Sequence, residues 1–226
     1  MAKKKKDLEE EEESKQWQEA TLIKTFKLNR ITTYQTPLMQ EWLDVRNPVF
    51  DTVEQANFDK KFKEVVMNIA GWSEEDLKMK FITYILELGL LNDENGIIGY
   101  FDKMISATVE GTFLKVKSDF MMAKGILNVH EDTYFHFQEY KPQLNPTGEP
   151  MAQLLEAFLI GQATNEVPKP LYGIEIIGET WKFVIIEGKD YCVSEPYSCV
   201  KKDDLLKIIA VLRKFKHILM TRLIFD

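Results

Sequence analysis

At the turn-rich stretch Leu91-Asn-Asp-Glu-Asn-Gly96 the apolar residues change their period, and this switch constrains the fold more than any other feature of the chain. Ahead of it the spacing is helical. Thr36-Pro37 followed by LMQEWL places a proline at the first position of a short helix. Asp51 and Glu54 have capping-box spacing ahead of Phe58, Phe62, Val65 and Ile69, with Gly71 as the stop. Ser73 then opens another helix, whose first turn carries Glu74, Glu75 and Asp76 at the positive end of the dipole and whose stripe is Leu77, Phe81, Tyr84, Ile85 and Leu88.

Beyond the switch, Met104 to Val109, Thr112 to Ala123 and Thr133 to Tyr140 read as extended segments joined by short polar loops, which predicts an antiparallel meander. A helix is expected from about residue 149 to 163, with Met151, Leu154, Leu155, Phe158 and Leu159 on one face. Strands follow at Leu171 to Ile177, Trp181 to Glu187 and Tyr191 to Ser194, with a hairpin turn at Glu187-Gly188-Lys189-Asp190. A last helix, from about residue 202 to 219, buries Leu205, Ile208, Leu212, Phe215 and Leu219. The fold class is therefore α/β: a central sheet with helices on both faces buries every stripe. Residues 1–15 read as a charged flexible leader, 16–71 as a helical extension or lobe, and 72–226 as the core.

A chain of 226 residues has material for one large domain. Its formal charge of −7 has the wrong sign for a general nucleic-acid binder, because binding rests on Lys and Arg neutralising phosphates. Any such function needs a local basic surface, or a metal ion offsetting carboxylates. The leader does not supply the surface, since its five lysines face six acidic residues. The sequence has no long apolar run of membrane-spanning length and no secretory signal pattern, and two cysteines make no disulfide framework. A cytoplasmic protein with no membrane partner is expected.

Cys192 and Cys199 lack a CxxC pattern, and His130, His136 and His217 lack ligand spacing, so thiolate and imidazole metal sites are set aside. No GxSxG or Walker-type loop occurs. Carboxylates and lysines remain. In a strand, residues two apart point the same way, which puts Glu139 and Lys141 on one face about 7 Å apart. Asp119, in the preceding extended segment, reaches that face if the hairpin register allows. Two carboxylates at a sheet edge give the hard oxygen ligands that Mg²⁺ prefers, with the Tyr140 carbonyl a third and waters completing the octahedron. Lys141 would then stand beside a metal-bound water and stabilise charge on a phosphate. Two other Glu-x-Lys triplets, Glu13-Ser-Lys15 and Glu187-Gly-Lys189, follow no strand carrying an acidic residue.

The runs SDFMMAKG, FHFQEYKPQ and PLYGIEIIGETWKFVIIEGKDYCVS, with a lysine-rich last helix, resemble the PD-(D/E)XK nuclease superfamily. More narrowly, they are similar to uncharacterised bacterial proteins related to the N-terminal nuclease domain of type I restriction enzyme R subunits. The resemblance spans about residues 81 to 217 and leaves out the helical front. It implies a restriction-endonuclease-like mixed sheet, with Asp119, Glu139 and Lys141 as catalytic residues and Mg²⁺, or Mn²⁺ in its place, as cofactor. Ser118 stands where the superfamily's name has Pro. Glu87 is the nearest match to the glutamate such families carry on the helix before the sheet, and Gln153 to a supporting glutamine.

DNA is the implied substrate. Lys115, Lys117 and Lys124 around Asp119, and Lys207, Arg213 and Lys214 on the last helix, are the candidate basic rim, within a C-terminal stretch that also holds Lys216 and Arg222. Two alternatives stay open. One is a catalytically inactive nuclease fold serving as an interaction module; the other is a subunit working with protein partners in a restriction or mobile-element complex. A homodimer is compatible with each.

Overall fold

The computed structural model of the chain describes residues 17–224; the charged leader expected over 1–15 lies outside them. Up to residue 91 the described backbone is mainly helical. It comprises α1 (Glu19–Phe26), α2 (Pro37–Leu43), α3 (Thr52–Asn68) and a composite rod, α4, built from an α turn Glu74–Leu77, a π-helical turn Lys78–Ile82 and an α segment Thr83–Leu88. The caps form where the spacing puts them. Asp51 accepts the Val53 and Glu54 amides at 2.8 Å while Glu54 accepts the Asp51 amide at 2.9 Å, and Ser73 Oγ accepts the Asp76 amide at 3.1 Å.

After the switch come β2 (Ile97–Val109), β3 (Thr112–Ile126), β4 (Val129–Lys141), α5 (Pro150–Thr164), β5 (Leu171–Ile177), β6 (Thr180–Glu187), β7 (Asp190–Val193), β8 (Tyr197–Ser198) and α6 (Lys202–Ile218). Two short strands had no periodic signal: β8, which pairs with β6, and β1 (Asn29–Ile31), which lies in the otherwise helical front. The sheet is mixed, in the order β1-β7-β6-β5-β4-β3-β2. β4 and β5 are parallel, as are β1 and β7; the other neighbours are antiparallel.

Helices cover both faces. On one, Leu154, Leu155 and Phe158 of α5 share a core with Met121, Phe137, Leu171 and Val184, joined by Leu22 and Phe26 of α1. On the other, Ile208, Leu212 and Phe215 of α6 share a core with Tyr140, Tyr172, Trp181 and Phe183, joined by Trp42 of α2, Phe58 of α3 and Phe81 of α4. The expected extension over 16–71 is thus continuous with the core in both layers: β1 adds to the sheet edge, and Trp42 packs edge-on against Tyr172 and Phe183.

α5 approaches the sheet closely because Gly173 of β5 has no side chain. A Cβ there would stand 2.6 Å from Phe158 Cζ, 2.9 Å from Leu154 Cδ1 and 3.0 Å from the Phe137 carbonyl oxygen. Gly173→Ala is expected to cost about 1–3 kcal/mol by overpacking, read as a lower urea midpoint at unchanged slope.

The meander strands are longer than their alternation suggested. β2 starts at Ile97 rather than Met104, and β3 and β4 run out to a tip where Ile126, Leu127 and Val129 are exposed. The tip and the base of this hairpin are offset by register shifts between Met122 and Gly125. Such a bulge locally turns the strand and resets which residues face each layer.

Candidate active site

Asp119 meets Glu139, Tyr140 and Lys141 because β3 and β4 are two arms of one hairpin. Phe120 pairs with Gln138, and next to that pair the Tyr140 amide donates to Asp119 Oδ2 at 2.7 Å. On the opposite edge of β4 the Lys141 carbonyl accepts the Gly178 amide at 2.8 Å. Successive peptide groups alternate along a strand, so the Tyr140 carbonyl turns toward β3, the side on which Asp119 stands. The Lys141 ammonium bends back to donate to that carbonyl at 2.9 Å and lies 3.9 Å from Asp119 Oδ2.

Glu139 follows Phe137 by two positions and therefore shares the α5 layer. It is fully buried, and neither carboxylate oxygen has a hydrogen-bond partner of ordinary geometry among the described residues, although the Asp119 backbone amide is near enough to favour its charged form. Its cross-strand neighbour on β5, Glu175, is answered by Lys182 at 2.8 Å. Burial, followed by the charge of Asp119, pushes the Glu139 carboxyl well above the usual carboxylate range, against the pull of Lys141. Asp119 is raised too, because burial outweighs the Tyr140 amide and the Lys141 charge. Two neighbouring buried carboxyls, one without a well-formed hydrogen bond, could hold a small oxygen-seeking cation.

The other side of β4 holds it in place. Tyr140 Oη donates to Gln138 Oε1 at 2.6 Å, and Gln138 Nε2 lies 2.8 Å from His136 Nε2, all three residues fully buried. Burial lowers the His136 pKa to about 3, so the ring stays neutral in this network and adds no charge behind the site.

The remaining sequence candidates divide. Glu87 is exposed on α4 and stands away from the carboxyl pair, thirteen residues and thus about 20 Å of rod beyond Glu74. The α4 glutamate at the site is instead Glu74, with Oε2 3.4 Å from Lys141 Nζ; the sequence reading had placed it only as a partner of the helix dipole. Gln153, in the first turns of α5, has a buried side-chain oxygen without a donor. Lys117 pairs with Asp102 at 2.8 Å and feels the charge of Asp119. Lys124 lies five residues farther along β3 than Asp119, about 17 Å away.

Lys207, Arg213 and Lys214 belong to α6, which covers the layer opposite α5, so the rim expected from them does not border the Glu139 side of the sheet. Lys207 lies over the Tyr197 ring, while Arg213 donates to the Leu88 carbonyl at 2.8 Å and lies over Phe50. Lys216 donates to the Asn92 carbonyl and pairs with Glu94, and Arg222 pairs with Glu41. Residues missed by the sequence reading are Lys78 and Asp102, which form an ion pair at 3.0 Å beside Lys117.

Among the described residues no group of three or more His, Cys, Asp or Glu side chains could hold a metal by themselves, so a cation here would need the Tyr140 carbonyl and water as well. No described helix is long and apolar enough to cross a membrane. No family model and no curated protein matches the chain. Among solved structures it is similar to a chain of a cryo-EM DrdV–DNA complex, with a TM-score of 0.36 and 12% identity over 70% of this chain and 14% of that one. The match thus spans a small part of a far larger molecule.

Proposed function

We propose that this chain is a Mg²⁺-dependent nuclease of restriction-endonuclease-like fold that hydrolyses DNA phosphodiester bonds at Asp119, Glu139 and Lys141. The observation that carries the reading is Glu139: a fully buried carboxyl with no well-formed hydrogen bond, beside a second buried carboxyl and a buried lysine. A structural role would leave such a group paired, as Glu175 is paired with Lys182.

Asp119 and Glu139 would hold the ion, the Tyr140 carbonyl keeps a second lone pair for it, and waters would fill the octahedron, as Mg²⁺ commonly retains. Bound there, Mg²⁺ supplies Lewis-acid polarisation of a phosphate oxygen and a more acidic water. Lys141, anchored by the Tyr140 carbonyl and Glu74, presents its ammonium beside Asp119, where it can orient a water and offset charge gathering on the phosphate. Tyr140, through its amide, fixes the orientation of the Asp119 carboxyl. The mixed sheet with helices on both faces and the hairpin register of the three residues support the fold assignment.

Purified protein is expected to nick and linearise plasmid DNA with Mg²⁺ or Mn²⁺ and to stop when EDTA is added. Calorimetry should show heat on Mn²⁺ addition to wild type and none with Asp119→Asn. Heat without cleavage would transfer the reading to a subunit that cuts only with protein partners. Absence of heat in the folded wild type would favour the non-catalytic interaction module.

A further inference from the structure

Two backbone irregularities in different elements converge on one ion pair. In the β2–β3 ladder Phe101 pairs with Phe120 and Lys103 with Ser118, but the intervening position, Asp102 opposite Asp119, is missing from the register. Asp102 has φ +54°, a left-handed conformation in the middle of a strand. Aspartate is one of the few non-glycine residues that visit this region, usually in turns and not inside a strand. The partner irregularity is the π-helical turn of α4, which begins at Lys78. Lys78 Nζ donates to both Asp102 oxygens, at 3.0 and 3.2 Å, and Lys117 Nζ reaches the same carboxylate at 2.8 Å.

Exposure within this triad is uneven. The Lys78 side chain is 7% exposed, whereas Asp102 is 42% and Lys117 55% exposed. A buried ammonium is therefore neutralised by a carboxylate that solvent, or a ligand, can reach and replace. The triad also belongs to the carboxyl site: the charge of Lys78 acts on Asp119, and Lys117 feels Asp119 and Glu74.

We propose that Lys78 and Lys117 form a phosphate subsite beside the carboxylate pair, with Asp102 as an internal anion that occupies it until a nucleic-acid phosphodiester takes its place. Two ammonium groups around one oxyanion position match a phosphodiester, whose two non-bridging oxygens share one negative charge as the Asp102 carboxylate oxygens do. The left-handed residue aims the carboxylate at the lysines. The subsite rests on the nuclease reading for the identity of its ligand; its geometry stands independently.

The test is binding of a fluorescent DNA duplex to the full chain in EDTA, where no turnover occurs, across a salt series. Asp102→Asn and Asp102→Gly both tolerate the left-handed conformation, so thermal melting should confirm that at least one remains folded. Removing the internal anion is expected to tighten binding on the order of tenfold and to steepen the salt dependence by about one unit. Lys78→Met and Lys117→Gln should each weaken binding and flatten the slope by about one unit. Folded Asp102 variants that bind DNA as wild type does, or more weakly, would overturn the subsite. If wild type cleaves and Asp102 substitution is silent, the subsite alone falls. If wild type neither cleaves nor binds Mn²⁺ yet loss of Asp102 tightens binding, the subsite stands and the nuclease reading falls.

Discussion

Glu139→Gln is expected to reduce metal-dependent DNA cleavage by about a thousandfold or more while leaving the protein folded and, without metal, less sensitive to rising pH. The loss of activity follows from removing one of the two anionic ligands proposed for the metal. The stability effect follows from the unpaired burial of the same carboxyl. Its folded-state pKa is raised by burial, so the folded protein binds its proton more tightly than the unfolded chain does. Stability from that proton is complete below the unfolded-state value, near 4.5, and is lost as pH climbs from there through the folded-state value. Wild type should therefore lose melting temperature across this window, and the neutral amide should flatten the profile. Mg²⁺ should restore more stability at pH 8 than at pH 5, because ionised carboxylates hold it. Scanning fluorimetry over a pH series, with and without Mg²⁺, reads all three curves. A Glu139→Gln profile superimposed on wild type would show that the carboxyl is already compensated.

Trp42→Ala is expected to produce the largest loss of stability, about 3–5 kcal/mol in urea unfolding. The side chain is fully buried among Tyr172, Phe183 and Phe215, and Nε1 donates to the Val211 carbonyl at 2.9 Å. Truncation opens a large cavity between β5, β6 and α6 and leaves α2 without its anchor. A loss below about 1 kcal/mol would show that residues 37–43 sit on the core without stabilising it.

How much of this was legible in the sequence depended on the length of the pattern. Long apolar stripes announced α3, α5 and α6, the capping-box spacing of Asp51 was met by hydrogen bonds, and Ser73, where a helix was expected to begin, caps it. β1 and β8 were not legible, because three and two residues carry no measurable period and owe their conformation to pairing with β7 and β6. Asp119, Glu139 and Lys141 could be placed together because strand alternation and a short hairpin determine that geometry. Asp102 was invisible for a related reason: the alternation visible from Met104 does not extend back through Ile97-Ile-Gly-Tyr-Phe, and a left-handed residue at 102 interrupts the strand. Glu87 was matched by family resemblance alone, and the proximity of Glu74 to Lys141 was not legible, since a helix pattern gives a face but not which end meets the sheet. The α6 lysines misled in the same way, as their sequence clustering says nothing about which layer their helix joins.

The hairpin that carries Asp119 and Lys141 also sets how the chain can change without losing this geometry. The Tyr140–Asp119 hydrogen bond spans 21 positions of sequence, whereas the Asn29–Asp190 contact at the far edge spans 161. By loop-closure scaling the second costs about 2 kcal/mol more chain entropy than the first. The spacing of the carboxyls is thus written into a nearly self-contained segment. The connections flanking α5 lie outside that segment, so they can lengthen, and surround the site with new surface, while the distance between its charges is inherited unchanged.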